Sequence, residues 1–145
     1  MRARVFVAAL LLVAIRCATT SPPVEIEQRT KAYAHAVQYE SPHAIASFYA
    51  PDGALVLPGM EPIVGPDRVE AFLEPLVANA EVASCEMHTT SLRAGRGMAH
   101  QEGTYSQVAG EKGKPGKLYR GTFIAEWRKD RGEWRFARLE MHPAP

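Results

Sequence analysis

Phe48-Tyr49-Ala50-Pro51-Asp52-Gly53-Ala54-Leu55-Val56-Leu57-Pro58-Gly59 is the stretch on which the fold turns, followed closely by Ile63-Val64-Gly65. It marks a change from helix to extended chain. Upstream, Ser41-Pro42 is a strong helix start: serine accepts from an orphan amide, and proline in the first turn loses no bond. Ala44, Ile45, Phe48 and Tyr49 then share one face of a short helix. Pro51-Asp52-Gly53 reads as the turn that stops it, with Asp52 bonding its own backbone rather than serving as a base. Residues 54–57 read as a short apolar strand, Pro58-Gly59 as a turn, and Ile63-Val64 as a brief extended piece.

Working outward, Ile26, Thr30, Tyr33 and Val37 recur at helical spacing and predict a first helix over residues 23–39. On the other side, Gly65-Pro66-Asp67 starts a third helix. Its stripe is Val69, Phe72, Leu73, Leu76 and Val77. Pro75 lies inside that stripe and predicts a kink or an early end. From Val82 the period becomes extended, with four strands expected at 82–93, 97–108, 117–129 and 133–142. Ala94-Gly95-Arg96-Gly97, the basic loop 110–116 and Asp130-Arg131-Gly132 join them, so neighbours must run antiparallel. The basic loop, with Lys112, Lys114 and Lys117, reads as a solvated hairpin tip. Helices first and long strands after them indicate the α+β class.

Composition narrows the function classes. The chain has 145 residues, 46% of them hydrophobic and 23% charged, with a formal net charge of +1. That is one domain of ordinary globular make-up, and the near-zero charge argues against a nucleic-acid binder. Two cysteines support neither a disulfide scaffold nor a four-thiolate zinc site.

The N-terminus differs from the rest. Arg2 and Arg4 precede an eleven-residue apolar run at 5–15, too short to span a bilayer. This reads as an export signal over residues 1–17. Two endings fit. Ala14-Ile15-Arg16-Cys17 resembles a lipoprotein site in which Cys17 carries the lipid, although Arg16 departs from the pattern. Ordinary cleavage near residues 18–21 is the other. The expected location is therefore periplasmic, extracellular or anchored to the envelope, with membrane contact only through that lipid. Residues 18–23 form a linker, 24–142 the domain and 143–145 a tail. Without residues 1–16 the chain has 14 basic and 16 acidic residues. Cys85 then reads as a buried structural cysteine.

The order of these pieces resembles the SnoaL-like bacterial branch of the nuclear-transport-factor-2-like superfamily. The quoted stretch 48–65 carries the likeness. So does the run Tyr119-Arg120-Gly121-Thr122-Phe123, Trp127-Arg128-Lys129-Asp130, Gly132, Trp134-Arg135-Phe136, which is similar to the family's last hairpin. The resemblance implies a cone-shaped roll: three helices packed into a strongly curved, mostly antiparallel sheet. It also implies a homodimer and a pocket inside the cone. Ketosteroid isomerases, polyketide cyclases and dehydratases share this fold with members that catalyse nothing, so the site must decide.

By ungapped spacing to Tyr49, Tyr33 falls where ketosteroid isomerases place an oxyanion-donating tyrosine. A core tyrosine is the other reading. The isomerases' catalytic acid falls on Leu57, which cannot take a proton. Strict alternation on the last strand puts Trp134, Phe136, Arg138, Glu140 and His142 on one face. If Trp134 faces the cone, Glu140 and His142 lie toward its mouth as an acid/base couple. The alternative is an Arg138–Glu140 surface pair. His100 and Glu102 share parity too, which makes His100, Glu140 and His142 the best polar cluster available. His88, His100 and His142 lie on separate strands without metal-motif spacing, and no metal or cofactor is expected.

Three functions follow as expectations. The first is a small apolar ligand bound by Tyr33, Tyr49, Leu57, Phe72, His100, Trp134 and Glu140. The second is an isomerase, cyclase or dehydratase acting on a steroid-like or polyketide-like substrate, with Tyr33, Glu140 and His142 as catalytic candidates. The third is a dimeric interaction module with a filled cone.

Overall fold

The computed structural model describes residues 20–145. The export signal, Cys17 and the first part of the linker lie outside the described residues.

Helix α1 (Pro22–Tyr39) begins with Pro22 in its first turn and buries Ile26, Thr30, Tyr33, Ala34 and Ala36. Helix α2 (Pro42–Ala46) is capped by Ser41, whose Oγ accepts from Ala44 N at 3.2 Å. Helix α3 (Pro66–Asn79) follows Gly65, whose φ of 90° favours glycine. Of the two outcomes expected from Pro75, the early end is not found: the helix runs on to Asn79. Ala71, whose carbonyl loses its bond there, and Pro75 are both exposed, so water can serve the freed group. Asn79 Nδ2 donates to Pro75 O at 2.8 Å and closes the last turn.

The strands are β1 (Tyr49–Val56), β2 (Ile63–Val64), β3 (Ala80–Ala94), β4 (Met98–Glu111), β5 (Lys117–Asp130) and β6 (Glu133–Pro143). They form one strongly curved, unclosed sheet in the order β2-β1-β6-β5-β4-β3. All neighbours are antiparallel except β1 and β6. The long chain between those two includes α3 and permits the parallel pairing. The class is α+β, as expected, with the core between the helices and one face of the sheet.

Two bulges correct the expectations. Pro51-Asp52-Gly53 is not a turn. It lies within β1, where the register against β6 jumps from Tyr49↔Phe136 to Ala54↔Arg138. A Cβ on Gly53 would strike the Phe136 carbonyl, so glycine is needed for the close approach. Asp52 pairs with Arg128, whose guanidinium holds the carboxyl below its usual range, and its own backbone amide adds to this, as expected. In β6 the register against β5 passes from Trp127↔Phe136 to Glu126↔Arg138, leaving Ala137 as an extra residue.

Candidate functional site

The bulge at Ala137 decides which side chains enter the cone. Trp134 and Phe136 face inward and are buried. Past the extra residue the phase reverses, and Leu139 is the buried side chain. Arg138, Glu140 and His142 therefore face the outer side. The alternation that grouped Glu140 and His142 with Trp134 does not hold.

The register carries this assignment across the sheet. Leu139 opposes Ala125 and Ala125 opposes Gln101, all inward and fully buried. Gln101 anchors the cone's packed end. Its Nε2 donates to Thr30 Oγ1 at 3.0 Å and to Thr89 Oγ1 at 2.8 Å, while Trp127 Nε1 donates to its Oε1 at 2.9 Å. Thr30 Oγ1 also donates to Ile26 O at 2.9 Å. One amide thus ties α1 to three strands with its buried polar atoms satisfied.

Beside this anchor lie Tyr33 of α1 and Tyr49 of β1. Tyr33 meets Phe48, Tyr49 and Phe136 edge to face, with centroid distances of 5.4, 6.2 and 4.9 Å. The two phenol oxygens are 3.0 Å apart. Burial pushes the Tyr33 hydroxyl up to about 12 and Tyr49 well above its ordinary value. Either hydroxyl can be the donor of this bond. Two phenols carry two protons, and this bond uses one. The other proton of the pair has no acceptor among the described residues. The pair is neutral at ordinary pH, so it can donate a hydrogen bond and cannot act as a base.

Leu57 and Phe72 are half-buried at the edge of this core, with Leu73, Tyr105, Met87 and Met141. Trp134 sits at the far end, where its Nε1 donates to Glu25 and Lys129 Nζ lies 5.5 Å over its ring. Lys129 first, and Trp134 after it, hold the Glu25 carboxyl below its ordinary range. Cys85 is half-buried beside α1, and burial pushes its thiol up to about 11.

The outer face is polar. His100 lies between two carboxylates: Nδ1 binds Glu126, and Nε2 binds Glu102 at 3.0 Å. Glu102 and then Glu126 raise its pKa, because both ring nitrogens donate only in the cation. Glu140 accepts from Arg138 Nε at 3.2 Å and pairs with His142 Nε2 at 3.1 Å. The structure thus joins Tyr33 to Tyr49 inside. It leaves His100, Glu140 and His142 on the opposite face, where Glu140 and His142 pair with each other and His100 binds Glu102 and Glu126. Sequence reading missed Gln101, Glu126 and Glu25. It also missed the bulge, although the spacing Trp134, Phe136, Leu139, Met141 already slips by one residue.

A family model for the SnoaL-like domain matches residues 23–140. No curated protein matches the chain. Among solved structures, a ketosteroid isomerase-like protein from Erwinia carotovora atroseptica is 19% identical, with a TM-score of 0.72 over 84% of this chain and 96% of that one. A scytalone dehydratase-like protein from Novosphingobium aromaticivorans is 16% identical, with a TM-score of 0.72 over 85% and 84%. A conserved protein from Planctomyces limnophilus is 17% identical, with a TM-score of 0.75 over 84% and 97%. At these identities the likeness is one of fold. The family match covers most of the chain, and the chain belongs to the SnoaL-like domain family, built on the nuclear-transport-factor-2-like fold.

Proposed function

We propose that this is an exported binding protein that holds a small, mostly apolar molecule with one hydrogen-bond acceptor inside its cone. The observation that carries the reading is the unused proton of the Tyr33–Tyr49 pair. A buried donor without a partner costs about 1–3 kcal/mol, and a ligand carbonyl would remove that cost. Half-buried Leu57, Phe72, Leu73 and Met141 pack against the same core and offer apolar surface to the ligand's body. The basic start and apolar run of residues 1–15 support export.

Binding without catalysis is the stronger reading for this pair of phenols. Acid/base chemistry needs a group that exchanges protons near neutrality, and Leu57 offers none. Glu140 and His142 face away from Tyr33.

Fluorenone and fluorene test this reading, since they share a shape and differ by one carbonyl. With Tyr33 as the hydroxyl that donates to the ligand, the ketone should bind roughly tenfold tighter, or about 1.4 kcal/mol. Tyr33→Phe should erase that preference. Absence of binding by both compounds, or an equal preference in the variant, would contradict the proposal.

A further inference from the structure

A cavity lies away from the phenols, on the outer face of the sheet. The register sets His88 opposite Thr104, Thr104 opposite Thr122 and Thr122 opposite His142. All four side chains of this row are exposed, whereas Gly103 and Phe123, of the other parity, are buried. Two residues further along the same face, Ser106 opposes Arg120. Ala144 N donates to Arg120 O at 2.7 Å and holds the end of the chain beside the row. These six side chains and residues 143–145 line a cavity of about 530 Å³.

Its charge is specific. Arg120 is the one fixed cation in the lining, and no Asp or Glu lines it. Among the described residues, no Asp or Glu carboxylate lies within ion-pair distance of the Arg120 guanidinium. The acids on the surrounding face are engaged elsewhere: Glu86 with His88 at 3.5 Å, Glu102 with His100 at 3.0 Å and Glu140 with Arg138 at 3.2 Å. A carboxylate matches a guanidinium in two parallel bonds. Thr104, Ser106 and Thr122 add hydroxyl donors beside it. Pro143, Ala144 and Pro145 offer apolar wall to the rest of a ligand.

We propose that the outer-face cavity around Arg120 binds a small organic carboxylate with an apolar body. A phosphate monoester carries about −1.5 to −2 charge at pH 7 and would meet more repulsion from Glu86, Glu102 and Glu140. One guanidinium among those acids suits a single negative charge. Tyr33 and Tyr49 are buried on the inner side of the sheet, so this inference does not depend on a ligand in the cone.

The test is calorimetric titration of the full chain with 2-naphthoate and with 2-naphthamide, which share a ring system and differ in charge. The acid should bind roughly tenfold tighter than the amide. That preference should narrow as salt rises. Arg120→Gln should remove it, and Arg120→Lys, which keeps the charge and loses the fork, should keep part of it. Tyr33→Phe should leave it unchanged. 2-Naphthyl phosphate should bind more weakly than the acid. Equal affinity for acid and amide, or an undiminished preference in Arg120→Gln, would overturn the proposal. So would a preference lost in Tyr33→Phe, since the acid would then sit in the cone, or tighter binding of the phosphate.

Discussion

Replacing Gln101 with leucine isolates the polar anchor of the cone. Leucine is close in size, so the change removes hydrogen bonds with little loss of packing. Thr30 keeps its bond to the Ile26 carbonyl, and Thr89 is half-buried and within reach of water. Trp127 has no such recourse. It is 1% exposed, and Gln101 Oε1 is the acceptor of its indole N–H. One buried donor is therefore orphaned, at about 1–3 kcal/mol. Near the middle of that range, a domain of this size should melt roughly 6–10 °C lower. Urea unfolding followed by tryptophan fluorescence should show a lower midpoint at unchanged slope. Adding Trp127→Phe removes the orphan together with its cause. A double-mutant cycle should therefore return a coupling of about 1 kcal/mol or more. A Gln101→Leu variant within about 0.5 kcal/mol of wild type, or a coupling of zero, would refute this reasoning. It would mean that apolar packing alone holds α1 to the sheet.

Two further expectations concern the sheet. His100 is more readily protonated when folded than at its unfolded value of about 6.5, because Glu102 and Glu126 stabilise the cation. Its contribution is fully present below that unfolded value and is lost as pH rises through the folded one. The stability gap between wild type and His100→Gln should therefore be wider at about pH 5.5 than at about pH 9. An equal gap at both would contradict the ion-pair assignment. Deleting Ala137 should remove the bulge, turn Arg138 and Glu140 inward and expose Leu139. Loss of a cooperative unfolding transition is expected, and a native near-ultraviolet circular dichroism spectrum would contradict the register.

Much of the architecture was legible in the sequence because it follows from local chemistry. Ser41-Pro42 and Gly65-Pro66 start helices in any context that permits one. The four long strands stand within two or three residues of their expected ends, since the Gly-bearing turns between them are local signals. The bulges were not legible in the same way. Pro51-Asp52-Gly53 has the composition of a turn, and only pairing with β6 makes it an excursion within β1. At Ala137 strict alternation placed Glu140 and His142 beside Trp134, whereas one extra residue sends them to the opposite face.

The site was legible in part for the same reason. Tyr33 and Tyr49 were both candidates, but that their oxygens meet depends on how α1 crosses the sheet. Gln101 sits between His100 and Glu102 in a segment that looks polar throughout. Its burial becomes visible only when β4 and β5 are paired and Gln101 falls opposite Ala125. Long-range register, rather than residue type, separates the phenol pair from the charged outer face.

The carbonyl stretching frequency of fluorenone bound to the protein tests the proposed donation by Tyr33 most directly. A phenol donating to the carbonyl lowers that frequency relative to the ketone in hydrocarbon solvent. The wild type should show the lowered band, and Tyr33→Phe should return it to the hydrocarbon position while Tyr49 remains. A band at the same frequency in both proteins would contradict the claim that Tyr33 offers its proton to a ligand in the cone.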